Sequence, residues 1–88
     1  MRHIKIAKLV IQGTADAARA VLEATDGLER VSIERSRLPP VEPGATTIWI
    51  LVAGWRPQEG THHFADRVEA ELEAGGIRVL RRTLRSHV

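Results

Sequence analysis

The segment from Thr46 to Trp55, TTIWILVAGW, constrains the fold of this chain more than any other stretch. It is apolar at every position from Ile48 to Ala53, and it is rich in the β-branched and aromatic residues that favour strands. The run lies between two proline-bearing stretches and is short for a helix, so we predict a β-strand. Side chains alternate between the two faces of a strand, and neither face carries a polar residue in the middle of this one. We therefore expect a central strand with apolar contacts on both faces of its sheet.

The hydrophobic pattern of the remaining sequence adds three strands and two helices. In chain order they are predicted at about residues 4–11 (strand), 15–25 (helix), 28–37 (strand), 62–74 (helix) and 77–84 (strand). Thr14 and Thr61 are the predicted N-caps of the two helices. The order β-α-β-β-α-β is typical of the α+β ferredoxin-like fold, a two-layer sandwich in which both helices cover one face of a four-stranded antiparallel sheet. The first and third strands are central in that fold, which agrees with their apolar character.

The length and composition indicate one domain of ordinary globular type. The 88 residues are 43% hydrophobic and 27% charged, and we expect a single domain over residues 1–88 with a frayed basic tail from about Arg85. The chain has no cysteine, which excludes a disulfide framework and a thiolate nucleophile and is compatible with a cytoplasmic location. No apolar segment approaches the roughly 20 residues of a membrane helix, so we expect no membrane partner.

The leading functional hypothesis concerns the sheet face that the two helices leave uncovered. On that face we expect an apolar patch formed by Trp49, Leu51 and Trp55 of the third strand and Leu9 of the first. Contiguous apolar patches commonly mark interfaces between proteins. The sequence therefore favours a small non-catalytic interaction or assembly module that forms a homodimer or docks a protein partner through this face.

Basic residues near both ends of the chain support an alternative, a nucleic-acid-binding domain. The net charge is only +2, but the predicted first and last strands carry cations and no acid, and the sequence pI is 9.9. Cations beside an exposed aromatic ring suit a single-stranded nucleic acid, because bases stack on the ring while phosphates pair with the cations. The residues predicted for this role are Lys5, Lys8, Arg78, Arg81, Arg82 and Arg85. RNA-recognition motifs of this fold place aromatic residues on both central strands, whereas the first strand here has none.

A second alternative is a small-anion sensor or enzyme at one end of the sheet. We expect the loops after the first and third strands to lie at the same end, where they would gather Thr14, Arg56, His62 and His63. A helix N-terminus with a hydroxyl, an arginine and histidines beside it is suited to a small anion. His62 and His63 are consecutive and point about 100° apart on a helix, so they are poorly placed to bind one metal together.

Catalytic chemistry has little support in the sequence. We find no nucleophile with a base and an orienting partner, no phosphate-binding glycine loop and no zinc-protease or serine-hydrolase motif. Acylphosphatases share the predicted fold and carry a catalytic arginine in the loop after the first strand, but that loop here, 12–16, has no arginine. We therefore expect no catalytic residues, no cofactor and no metal, and a binding function is favoured over an enzyme.

Overall fold

The computed structural model describes residues 2–40 and 42–85. These residues form strands and helices in the predicted order. The elements are β1 (His3–Gln12), α1 (Ala15–Glu23), β2 (Val31–Arg35), β3 (Ala45–Ala53), α2 (Thr61–Ala74) and β4 (Val79–Leu84). No helix in the described part of the chain is long and apolar enough to cross a membrane.

The four strands form one antiparallel sheet in the order β2-β3-β1-β4, so the two most apolar strands are central. β1 and β3 run in opposite directions, with His3 opposite Ala53 and Gln12 opposite Ala45. Both helices pack on one face of the sheet, since residues of α1, α2 and the central strands share one buried core. This two-layer α+β arrangement confirms the predicted ferredoxin-like fold.

A β-bulge in β1 decides which of its side chains face the helices. The register between β1 and β3 shifts between Lys5 and Ala7, so Ile6 is an extra residue in β1. Ile6 and Ala7 both have 0% exposure and belong to the core. Because side chains alternate along a strand, one extra residue reverses the faces of those that follow it. Lys8 consequently shares a face with Lys5, whereas Leu9 points to the helices.

The core lies between the sheet and the helices, and every core residue in the described part of the chain is apolar. β3 contributes alternate residues, Ile48, Ile50 and Val52, each with 0% exposure. The helices contribute small and aliphatic side chains at three- and four-residue spacing, as their sequences predict. The buried helix residues are Ala15, Ala18, Leu22, Ala65, Val68 and Leu72.

One predicted helix cap is confirmed and the other is wrong. The Thr14 hydroxyl accepts a hydrogen bond from the Ala17 amide at 3.1 Å, which confirms Thr14 as the N-cap of α1. α2 begins at Thr61 itself, and its N-cap is Gly60, which offers no side-chain acceptor. The predicted cap is displaced by one residue because Gly60 already adopts the extended conformation of a cap, with φ −72° and ψ 133°. α1 ends at Glu23, slightly before the predicted end.

The two edge strands are shorter than the sequence predicts. β2 begins only at Val31, whose amide closes a turn by donating to the Leu28 carbonyl at 3.0 Å. β4 begins at Val79, because the preceding Ile77 amide is used to close the end of α2. The greater part of the predicted frayed tail, residues 86–88, lies outside the described residues.

Candidate functional site

The sheet face away from the helices, called the open face below, carries residues from all four strands. Residues opposite one another in neighbouring strands share a face, so the register identifies its members. They form rows across the sheet: His3 and Ala53; Ser32, Leu51 and Lys5; Glu34, Trp49, Lys8 and Thr83; Thr47, Val10 and Arg81; and Ala45 and Gln12. Trp49 therefore lies near the centre of the open face, between Glu34 on the edge strand β2 and Lys8 on β1.

Two lysines lie against the Trp49 indole. Nζ of Lys5 is 5.2 Å from the ring centroid and Nζ of Lys8 is 5.8 Å from it, both within the range of cation–π attraction. Lys5 Nζ also lies 3.5 Å from a carboxylate oxygen of Glu34. Among the described residues, Leu38 is the only large hydrophobic side chain that is mostly exposed, at 68%, and it lies in the proline-rich loop between β2 and β3, residues 36–44. The open face is thus less apolar than the sequence predicts, with a half-buried aromatic centre in basic surroundings.

A hollow opens beside Trp49 on the side of β4. Its volume is about 330 Å³, and it is lined by Lys8, Trp49, Thr83, Leu84 and Arg85. The lining combines the indole of Trp49, the hydroxyl of Thr83 and the cations of Lys8 and Arg85. This combination suits a ligand that has both a flat aromatic part and negative charge.

The cations around the hollow lack carboxylate partners. Among the described residues, Lys8, Arg81 and Arg85 form no ion pair with aspartate or glutamate. Arg81 is exposed on β4, opposite Val10, and Arg85 follows the end of the same strand. Within the described residues, the open face therefore has positive charge that no aspartate or glutamate pairs with.

Arg82 lies away from this group, which corrects the predicted nucleic-acid-binding set. Arg82 faces the helix layer, where its guanidinium pairs with Asp66 and, at 3.1 Å, with Glu69. The hydrogen bond to Asp66 is the main reason that the pKa of Arg82 is raised. The side chains of β4 alternate between the two faces of the sheet, so Arg82 lies on the helix side and Arg81 on the open face. Arg82 therefore joins β4 to α2 and is not available to a ligand on the open face. Arg78 precedes β4 at the end of the sheet, where its carbonyl accepts the Gln12 amide at 2.9 Å.

Leu9 and Trp55 do not lie on the open face, although the sequence predicts an interface there that includes both. Leu9 has 0% exposure and belongs to the core, because the bulge at Ile6 turns it toward the helices. β3 ends at Ala53, and Gly54 with φ +63° turns the chain, so the strand alternation does not extend to Trp55. Trp55 packs instead against the edge of the core.

The predicted anion site is not assembled in this fold. Because β1 and β3 are antiparallel, the loop after β1 lies at the start of β3 and the loop after β3 lies at the start of β1. Thr14 therefore lies at one end of the sheet, and Arg56, His62 and His63 follow the other end, roughly 30 Å away along a nine-residue strand. The prediction that these residues gather at one end of the sheet is therefore wrong.

One end of the open face is bordered by the proline-rich loop. Glu42, Val10, Leu80 and Arg81 line a cavity of about 150 Å³ there. Val10 is exposed by only 5%, although its register places it on the open face. A bulge between β4 and β1 at this point adds Leu80 to the same side. The accessible part of the open face is consequently the region around Trp49.

A clamp between Arg30 and Glu59 fixes the loop that follows β3, and the sequence analysis missed it. The guanidinium of Arg30 pairs with both carboxylate oxygens of Glu59, at 2.7 and 3.1 Å, and it donates to the Ala53 and Gly54 carbonyls. The hydrogen bond from Arg30, together with one from the Arg56 amide, lowers the pKa of Glu59 to about 2. The two partners are 29 residues apart, so no local sequence pattern indicates the pair.

The described residues offer no cluster of three or more histidine, cysteine, aspartate or glutamate side chains that suits a metal ion. The polar side chains that the register places on the open face are cations, hydroxyls, the Glu34 carboxylate, the His3 imidazole and the Gln12 amide. The open face offers an aromatic ring for stacking at Trp49 and positive charge beside it.

Comparison with known proteins adds no functional information. No protein-family model matches the chain, and a search of curated proteins finds no significant relative.

Proposed function

We propose that this protein is a small, non-catalytic, cytoplasmic binding module that takes an anionic partner on its open face. The observation that carries the proposal is the group of cations around Trp49 that have no carboxylate partners. Lys8, Arg81 and Arg85 form no ion pair within the described residues, and Nζ of Lys8 lies 5.8 Å from the Trp49 ring centroid. Complementary charge speeds and orients association, and an aromatic ring at the centre of a binding surface supplies contact area.

Self-association through the same face is the second candidate. Trp49 and Leu51 lie on the same side of β3 and are half-buried, so a second copy has an apolar centre to contact. Two open faces brought together would, however, oppose cations to cations, and like charges at an interface cost binding energy. The charge of the face therefore supports an anionic partner ahead of a homodimer.

Removal of charge from two different surfaces tests the proposal. The double variant Lys8→Ala/Arg85→Ala loses two cations from the open face, while Arg19→Ala/Arg67→Ala loses two from the helix layer. We expect the open-face variant to bind heparin and polyglutamate at least about 10-fold more weakly than wild type at low salt. Each cation that pairs with the polyanion releases counterions from it, and the variant, which has two fewer cations, loses that favourable release. Equal weakening by both double variants would show that only net charge matters and would overturn the proposal. Circular dichroism verifies that both variants are folded.

Light scattering at low and moderate salt tests the second candidate. The proposal predicts that the protein without a partner has the mass of a single chain at both salt concentrations. A dimer that persists in salt and is lost in Trp49→Ala would establish self-association through the open face and would displace the anionic partner.

A further inference from the structure

Resting on the proposed function, we propose that the anionic partner is a single-stranded nucleic acid. One base stacks on Trp49 in the hollow beside β4, and adjacent phosphates contact Lys8, Arg81 and Arg85. The proposal joins three observations: the aromatic wall of the hollow, the cations that border it, and their arrangement along the sheet.

The hollow has the two kinds of surface that a nucleotide needs. Trp49 forms one wall with its indole, and Lys8 and Arg85 supply positive charge in a space of about 330 Å³. The ammonium groups of Lys5 and Lys8 lie 5.2 and 5.8 Å from the centroid of the indole. Side chains at the surface can therefore reach the face of the ring, which attracts their positive charge. A base that stacks on this ring displaces a lysine side chain, which is then available to a phosphate of the same nucleotide.

The positions of the cations suit an extended polyanion that crosses the hollow, and not only a single small anion. Arg81 lies in the neighbouring row of the open face, on one side of the row that contains Trp49 and Thr83. Arg85 lines the hollow two residues beyond Thr83, on the other side of that row. Four residues of extended chain separate the two arginines by roughly 13 Å. A strand of nucleotides crossing Trp49 therefore meets a cation before and after the stacked base.

A single strand fits this site better than a duplex or an acidic polypeptide. The bases of a duplex are already stacked on their neighbours and offer no free ring to Trp49. The aspartate and glutamate side chains of an acidic polypeptide have charge for the arginines but no flat ring for the indole wall of the hollow. The aromatic centre thus favours a single-stranded nucleic acid among polyanions.

The test is fluorescence anisotropy with labelled oligothymidylate and oligouridylate of about 12 nucleotides, a length suited to one small binding domain. We expect Trp49→Ala to weaken binding by roughly 5- to 100-fold, the range measured for loss of one stacked base, and Trp49→Phe to retain most of the affinity. Lys8→Ala and Arg85→Ala should each reduce the slope of log affinity against log salt by about one. Arg19→Ala, on the helix layer, should leave the affinity and the slope close to those of wild type.

The remaining outcomes separate this inference from the proposed function. Equal affinity for a duplex of the same length, with no effect of Trp49→Ala, would overturn the stacked base and leave an electrostatic polyanion site. Binding of polyglutamate but of neither oligonucleotide would overturn the nucleic acid and leave the proposed function intact. Absence of binding to every polyanion at low salt would overturn both.

Discussion

Replacing Leu9 by alanine tests the bulge on which the composition of the open face depends. Leu9 has 0% exposure and lies opposite Ile48 on the side of the helices. The truncation removes three carbon atoms from the core, and their transfer costs about 2.4 kcal/mol at about 0.8 kcal/mol each. The cavity that remains adds about 1 kcal/mol or more, so the free energy of unfolding should fall by about 3 to 4 kcal/mol.

The assay is unfolding in urea, followed by far-ultraviolet circular dichroism. A domain of 88 residues has a total stability of about 4 to 13 kcal/mol, so Leu9→Ala removes a large share of it. With an m-value of about 1.5 kcal/mol/M, the midpoint should fall by about 2 M. Lys8→Ala is the matched control on the neighbouring residue, and it should cost no more than about 1 kcal/mol because Lys8 lies on the open face.

Similar losses of stability in the two variants would refute the assignment of faces. A loss below about 1 kcal/mol for Leu9→Ala would mean that Leu9 lies on the open face and that β1 has no bulge. The positions of Lys8 and Leu9 relative to Trp49 would then be exchanged, and the hollow would lose one of its cations.

Three further predictions concern the fold. Arg30→Ala should lower stability, and part of that loss depends on pH because Arg30 depresses the pKa of Glu59 to about 2. The stability that Glu59 contributes is present above its ordinary pKa of 4.5 and is lost as the pH falls through 2, so the difference in urea midpoint between wild type and variant should narrow between pH 5 and pH 2, and the part due to the Ala53 and Gly54 carbonyls should remain. Gly75→Ala should destabilise the protein by about 1 to 2 kcal/mol, because the added Cβ would lie 2.8 Å from Cγ2 of Val21. The φ of −83° at Gly75 suits alanine, so the cost comes from this contact, and Val21→Ala should relieve it in a double-mutant cycle. Arg82→Met should lower the thermal midpoint by a few degrees, because the ion pairs with Asp66 and Glu69 are lost, and it should not weaken oligonucleotide binding. Loss of binding in the folded variant would show that Arg82 acts on the open face.

The fold was predictable from the sequence because each element has a clear period. The unbroken apolar run in β3 indicates a central strand, and the alternation of Val31 and Ile33 with polar residues in β2 indicates an edge strand. Helix periods and glycine stops place the helices between them to within a few residues. The order of elements then leaves few ways to form a sheet.

The composition of the open face was only partly predictable. Alternation assigns Trp49 and Leu51 to one surface, but it places Lys5 and Lys8 on opposite faces of β1. The bulge at Ile6, which brings the two lysines onto the same face, leaves no trace in a sequence where Ile6 and Ala7 are both apolar core residues. A strand with one extra residue has the same composition as a regular one, and only pairing with its neighbour reveals the change of phase.

The misplaced anion site has a different cause. Neighbouring central strands in the predicted topology are antiparallel, so the loops after them necessarily lie at opposite ends of the sheet. The separation of Thr14 from Arg56 was therefore available from the predicted order of elements. The turn at Gly54 that removes Trp55 from the strand was not, since a glycine after a strand is compatible with many turn geometries.

The bulge at Ile6 also sets where β1 tolerates a change in its length. Deleting Ile6 would leave Lys5 and Ala7 adjacent, and regular alternation would then keep every later residue on the face that it now occupies. Deleting Val10, beyond the bulge, would turn Gln12 toward the core if the bulge stayed and Lys8 toward the core if the bulge were lost. Deletions accepted in β1 during divergence of this protein should accordingly be concentrated at the bulge.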